Sequence, residues 1–259
     1  MADRLQWIRI EPARWADWEP VRGGLEAHRL VERCYPRAEC WVIEHEARQA
    51  AAARAVLARP WWKLNAPATH FDALPDGGVP MLWANMALHM AADPQALIVA
   101  WHQALATDGF LMFSCLGPDT LRELRALYAR LGWPPPAHEF TNMHDWGDML
   151  VHGGFAEPVM DMERITLTWD SAGRALAELR ELGTNLHGQR FAALRGRAWR
   201  RELAVQLEGL RGADGRFALT FEIVYGHALK PLPRIPVAGQ SAFSVKEMQA
   251  LLRSGRQGR

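Results

Sequence analysis

The feature that most constrains the fold is the alternation of short apolar runs with helical segments in the first half of the chain. Residues 39–44 (ECWVIE) and 110–116 (FLMFSCL) are rich in β-branched, aromatic and other apolar residues, which favours strands. Residues 45–58 have helical spacing, and Asp93 followed by Pro94 is a typical start of a further helix. Strands and helices that alternate in units of this length predict a parallel sheet with right-handed crossovers.

Composition and charge narrow the class of protein. The chain has 259 residues and a formal net charge of +1, which gives no general electrostatic reason to bind nucleic acid or an anionic membrane. No window approaches the about 18 uninterrupted apolar residues of a membrane span, and the first residues lack the apolar core of a targeting signal. The cysteines, Cys34, Cys40 and Cys115, have no metal-ligand spacing. We therefore expect a cytoplasmic protein without a membrane span, a nucleic-acid partner or a bound metal.

The sequence pattern changes after Gly117. Arginine-rich helical sequence alternates with strand-like runs, of which FALTFEIVYGHALK is the last and longest. We expect one domain over residues 1–230 with helical insertions at roughly 118–150 and 171–211. A tail containing prolines and arginines follows at 231–259.

Three stretches resemble a known family. Residues 82–125 (LWANMALHMAADPQALIVAWHQALATDGFLMFSCLGPDTLRELR), 182–190 (LGTNLHGQR) and 214–230 (DGRFALTFEIVYGHALK) are similar to parts of the malonyl-acyl-carrier-protein O-methyltransferases of biotin synthesis. These belong to the class I S-adenosylmethionine (SAM)-dependent methyltransferases. The resemblance covers roughly residues 14–230, and its two late stretches distinguish this family from other methyltransferases.

The resemblance implies an architecture. The expected fold is α/β: the Rossmann-like, three-layer class I methyltransferase fold, with a mostly parallel seven-stranded sheet, an antiparallel last strand and helices on both faces. Ligands of such sheets bind beyond the carboxyl ends of the strands, near the point where strand order reverses.

The resemblance also implies SAM as cofactor and a set of residues to bind it. Glu44, at the end of the second strand, is expected to accept hydrogen bonds from the ribose hydroxyls, and Asp72 to stand near the adenine. The full set of expected cofactor-binding residues is Asp17, Gly23, Gly24, Glu44, Asp72 and Asn85.

Four residues depart from the family pattern on this cofactor side. Glu19 and Val21 stand where the first two glycines of the SAM-binding turn would be. His70 stands in the position of the residue that holds the adenine, and Pro80 precedes strand four. An alternative hypothesis follows: a protein of this fold that has lost SAM binding and acts as a binding or assembly partner. Some relatives of the family assist respiratory-complex assembly or modify arginine, and nothing in the sequence selects that third possibility.

On the substrate side the resemblance implies a malonyl thioester on an acyl carrier protein. Arg190 is the candidate clamp for the malonyl carboxylate, and His187 and Tyr225 are expected to line the same pocket. Residues 194–201 (LRGRAWRR) offer a basic face to an acidic carrier. We single out no catalytic residue, because a carboxylate is already a nucleophile and its methylation depends mainly on proximity and alignment.

Overall fold

The computed structural model describes residues 1–58 and 67–232. Most of the expected tail, residues 233–259, therefore lies outside the described residues. The strands are β1 (Arg14–Trp18), β2 (Glu39–Ile43), β3 (Thr69–His70), β4 (Val79–Ala84), β5 (Leu105–Leu116), β6 (Ala156–Trp169) and β7 (Phe217–Leu229). The α-helices are α1 (Pro20–Gly23), α2 (Leu25–Cys34), α3 (Ala47–Leu57), α4 (Pro94–Ala104), α5 (Arg122–Arg130), α6 (Met143–His152), α7 (Ala172–Glu181) and α8 (Arg197–Glu208).

The strands form one seven-stranded sheet in the order β3-β2-β1-β4-β5-β7-β6. β1 to β5 pair in parallel, whereas β7 runs antiparallel to both of its neighbours, β5 and β6. The expected mostly parallel sheet with an antiparallel last strand is thus confirmed. Strand order reverses between β1 and β4, so the carboxyl ends of these strands flank the crevice in which ligands of such sheets bind.

Helices cover both faces of the sheet because its strands are apolar on both sides. α2 and α3 pack on one face against Trp15, Cys40 and Met81. α4 and α6 pack on the other face against Leu82 and Phe113. Asp93 begins α4 as expected, since its side chain accepts a hydrogen bond from the amide of Ala96 at 2.9 Å. Within the described residues, no helix is both long and apolar enough to cross a membrane.

The β6–β7 ribbon extends past the end of β5 and carries a second core. β5 ends at Leu116, opposite Ile223, whereas residues 217–222 of β7 continue with β6 as their partner. α5, α7 and α8 pack on this extension around Phe217, Leu219 and Phe221. Of the helices in the expected insertions, α5, α7 and α8 pack on this extension, whereas α6 packs on the sheet itself.

Gly226 allows β7 to lie against β5, and it provides a test of the core. A Cβ at this position would overlap the ring of Phe113, so we expect Gly226→Ala to destabilise the fold by about 1–3 kcal/mol. Gly173→Ala is the control: it lies in α7 with no atom within 4 Å of the new Cβ, and should gain about 0.5–1 kcal/mol. Urea unfolding measures the free energy of unfolding of both variants. Equal values for Gly226→Ala and Gly173→Ala would contradict the packing of β7 against Phe113.

Candidate functional site

The connection from β1 to α2 is a one-turn helix, α1, in place of a glycine-rich turn. Glu19 enters it with φ 52° and ψ 54°, a left-handed conformation that suits glycine better than a residue with a Cβ. The carbonyl oxygen of Glu19 accepts the amides of Arg22 at 3.1 Å and Gly23 at 2.9 Å. The amide of Val21 donates to Oε1 of Glu44 at 2.9 Å. The turn is thus closed by its own hydrogen bonds and by the end of β2.

The far side of the turn is tied to β4 and β5. Nδ2 of Asn85 donates to the carbonyl oxygen of Gly23, and Oδ1 of Asn85 accepts the hydroxyl of Ser114 at 2.6 Å. A Cβ on Gly23 would meet the carbonyl oxygen of Asn85 at 2.6 Å, so this close approach requires glycine. Gly24, the N-cap residue before α2, has φ 93°. Asn85 therefore holds the turn in place.

Asp17 lies beneath the turn in a buried pair with His28. Oδ2 of Asp17 and Nδ1 of His28 are 2.8 Å apart, and the two side chains are 2% and 0% exposed. Nε2 of His28 faces Glu32 at 3.5 Å. Burial alone would lower the pKa of His28, but the hydrogen bonds to Asp17 and Glu32 raise it to about 9. The carboxylate of Asp17 is thus used to join β1 to α2.

Glu44 faces a cavity of about 650 Å³ at the ends of β1 and β2. Its Oε1 binds the amide of Val21, while its Oε2 is buried without a hydrogen-bond partner among the described residues. Burial raises the pKa of this carboxyl group above its ordinary value. Trp18, Asp72 and Gln103 line the same cavity. Glu44 and Asp72, expected together from the sequence, do lie on one cavity of a size typical for small-molecule sites.

His70, which stands in the adenine position of the family pattern, makes its contacts with β2 instead. Its ring stacks on Trp41 with centroids 4.2 Å apart, and its Nε2 lies 3.2 Å from Oε2 of Glu39.

The carboxylate of Glu19 is balanced by basic neighbours. Nε of Arg22 lies 3.6 Å from one of its oxygens, and Nδ1 of His45 lies 3.3 Å from the other. The repulsion that a lone glutamate would exert on an anionic ligand in this position is therefore reduced.

A second cavity, of about 130 Å³, lies between the β4–α4 connection and the helices on the β6–β7 extension. His89 lines it, and burial, followed by the charges of His138 and Arg22, lowers the pKa of His89 to about 4. Nε2 of His138 lies 2.9 Å from the carbonyl oxygen of His89. Other lining residues are Thr120, Leu124, Phe140, Asn185 and Phe221. The rest of the lining is mostly apolar.

Of the three residues expected to bind substrate, the structure keeps Arg190 beside His187 and places Tyr225 on another cavity. Arg190 is exposed and donates to the carbonyl oxygen of His187 at 3.2 Å. His187 accepts the amide of Gln189 at its Nδ1, at 3.0 Å. From the same stretch, residues 182–185 line the second cavity, and Nδ2 of Asn185 donates to the carbonyl oxygen of Pro135 at 2.8 Å.

Tyr225 lies elsewhere. Its hydroxyl contacts Glu163, and Arg4 stacks over its ring at 4.3 Å. With Trp7 and His227 it lines a third cavity, of about 300 Å³, beside the N-terminal segment.

Sequence reasoning missed Arg22, His28, His89 and His138. Only the i, i+4 spacing of His28 and Glu32 was visible, and it does not reveal the partner on β1. His89 and His138 are brought together from distant parts of the chain by the fold.

Comparison with known proteins identifies the family. The chain is 37% identical over 95% of its length to the malonyl-[acyl-carrier protein] O-methyltransferase of Gallionella capsiferriformans, covering 88% of that protein. It is 38% identical to that of Laribacter hongkongensis, covering 90% of this chain and 81% of the other. For the Nitrosospira multiformis protein the identity is 35%, with 92% and 82% covered. No family model matches. The chain belongs to the malonyl-[acyl-carrier protein] O-methyltransferase family.

Solved structures share the fold. A candidate methyltransferase of Bacillus halodurans aligns with a TM-score of 0.57 at 13% identity, covering 89% of this chain and 98% of that one. The YcgJ protein of Bacillus subtilis aligns with a TM-score of 0.53 at 12% identity, covering 85% and 92%. The architecture is that of the class I methyltransferases.

The left-handed backbone at Glu19 can be tested with two substitutions. Glu19→Gly removes the Cβ and the carboxylate, whereas Glu19→Ala removes the carboxylate alone. We expect the glycine variant to be the more stable of the two by about 1 kcal/mol, because a Cβ is disfavoured at this φ. Chemical denaturation of both variants measures the difference. A glycine variant no more stable than the alanine variant would show that the turn carries no such strain.

The Asp17–His28 pair predicts a pH dependence of stability. Because the folded pKa of His28 is about 9 against an ordinary 6.5, its contribution is complete below pH 6.5 and is lost as the pH rises through 9. We expect the Tm of the protein to fall more between pH 6.5 and 9.5 than that of His28→Gln. Parallel Tm profiles for the two proteins would contradict the pairing.

Proposed function

We propose that this member of the family transfers a methyl group from SAM to the carboxylate of a malonyl thioester carried by an acyl carrier protein. The observation that carries the proposal is the similarity to three proteins of that name over nearly the whole chain. The cavity at the ends of β1 and β2 supports it, because Glu44 faces that cavity, and a second cavity lies beside the β4–α4 connection.

The residues around the larger cavity fit an adenosine. Oε2 of Glu44 is a buried acceptor that lacks a protein partner among the described residues, which suits a ribose hydroxyl. Asp72 lines the same cavity and can accept the amino group of an adenine. When bound, SAM supplies an activated methyl group on a sulfonium. Asp17, Gly23 and Asn85 support this site by fixing the turn, and we assign them no direct ligand contact.

The smaller cavity suits the acceptor. A malonyl carboxylate is ionised at neutral pH, so the protein has to position it and exclude water rather than remove a proton. His89, with its pKa of about 4, stays neutral at pH 7 and can donate a hydrogen bond without changing its charge. His138 lines the same cavity.

The connection beside this cavity suits an acidic carrier protein. Residues 182–201 contain five arginines and no acidic residue. None of these arginines forms an ion pair with a residue in the described part of the chain; Arg195 instead stacks on Trp199 at 4.3 Å and Phe191 at 4.7 Å. Leu194 is fully exposed among them. Unpaired charge around exposed apolar groups is the composition expected of a surface that docks an acidic partner.

One observation favours a second function, that of a binding or assembly partner without methyl transfer. The amides of Val21, Arg22 and Gly23 are all bonded within the protein and are not free for a ligand. Binding of SAM separates the two functions.

Glu44 provides that test. We expect purified protein to bind SAM and its demethylated product in isothermal titration, and Glu44→Gln to weaken both by about 10- to 100-fold through loss of a charged hydrogen-bond acceptor. The control Glu46→Gln changes an exposed carboxylate two residues away. Absence of binding by the unaltered protein would favour the second function.

The carrier surface is tested by charge reversal on α8. Arg197, Arg200 and Arg201 are exposed, and changing all three to Glu should weaken binding of an acidic acyl carrier protein by about 10-fold or more at low salt. A variant with Glu at the exposed Arg33, Arg37 and Arg48 makes the same change in net charge elsewhere. Equal affinities for the two variants would overturn this docking surface.

A further inference from the structure

We propose that Arg22 binds the methionine carboxylate of SAM. In a glycine-rich turn, backbone amides would bind such an anionic group. The proposal rests on the proposed function, because it assumes that SAM occupies the cavity beside Glu44. It assigns the methionine carboxylate of SAM to a side chain for which the family pattern has no place.

The first step concerns the amides of the turn. In a glycine-rich turn the N–H groups point outward and bind anionic groups. Here the amide of Val21 donates to Glu44 at 2.9 Å, and the amides of Arg22 and Gly23 donate to the carbonyl oxygen of Glu19. The amides of residues 21–23 are therefore not available to a carboxylate that arrives at this turn.

The second step concerns the cation available. Arg22 is the only basic residue in residues 17–24. Its backbone is held between the ends of β2 and β4, because Val21 is bonded to Glu44 and Gly23 to Asn85. The backbone of Arg22 is therefore anchored beside the expected ribose acceptor on one side and beside the β4–α4 connection on the other.

The third step concerns the free donors of the guanidinium. Nε of Arg22 faces Glu19 at 3.6 Å, and the side chain is 33% exposed. The planar guanidinium has further N–H groups that can bind a carboxylate in a bidentate manner. Its charge also lowers the pKa of His89 and opposes the effect of burial on the pKa of Glu44.

Arg190, the clamp expected from the sequence, does not compete for this role in the structure. It lies on the exposed connection before α8, where its guanidinium donates to the carbonyl oxygen of His187. It is therefore a suitable control: an arginine of equal charge, also exposed, away from the turn.

The experiment is a titration with two ligands. S-adenosylhomocysteine has the methionine-derived carboxylate, whereas 5′-methylthioadenosine has the adenosine and the thioether without it. We expect Arg22→Ala to raise the Kd of S-adenosylhomocysteine by about 10- to 100-fold and to leave that of methylthioadenosine unchanged. Arg22→Lys should recover part of the loss, and Arg190→Ala should change neither Kd.

The outcomes separate this proposal from the proposed function. Equal weakening of both ligands would mean that Arg22 only supports the turn, and unchanged binding of both would mean that it is not needed; each result overturns the proposal while SAM binding stands. A raised KM for the malonyl carrier substrate, with unchanged Kd values for both adenosine ligands, would mean that Arg22 binds the carboxylate of the acceptor. That result would overturn the assignment to SAM. If the unaltered protein binds neither ligand, the proposed function fails as well.

Discussion

The buried hydrogen bond between Asp17 and His28 is the interaction on which the rest of the site depends. It joins the carboxyl end of β1 to the second turn of α2 with both side chains almost entirely shielded from water. Removal of one partner would leave an unpaired polar or charged group in the core, which is among the more costly changes a protein can undergo. The intervening residues can adopt an unusual conformation because both ends of the connection are fixed in this way.

That connection shows how a ligand-binding turn can change without loss of the fold. Glu19 and Val21 stand where the family resemblance places glycines, and the connection is a one-turn helix with internal hydrogen bonds. Gly23 alone keeps its position under a steric requirement, since its neighbour Asn85 leaves no room for a Cβ. At this position the requirement for glycine comes from packing.

Sequence reasoning reached the strands and the residues at their ends, but not contacts across the fold. The apolar runs locate β2 and β5 because burial on both faces leaves a continuous signal, and Glu44 follows from its position at a strand end. The sequence does not assign Tyr225 to a cavity. Its face of the sheet depends on the register of β7 with β6, which no local pattern records. Arg22 and His28 depend on distances between elements, which no local pattern records.

The position of β6 at the edge of the sheet has a consequence for the protein in concentrated solution. An edge strand presents unpaired backbone groups that can add a strand from another molecule. The beginning of β6 is protected by Pro158 and by a register shift between Ala156 and Val159. Farther along, Ile165 and Leu167 are 40% and 44% exposed without such interruption. Aggregation by strand addition would therefore start at the projecting end of the ribbon, the same end that carries α5, α7 and α8.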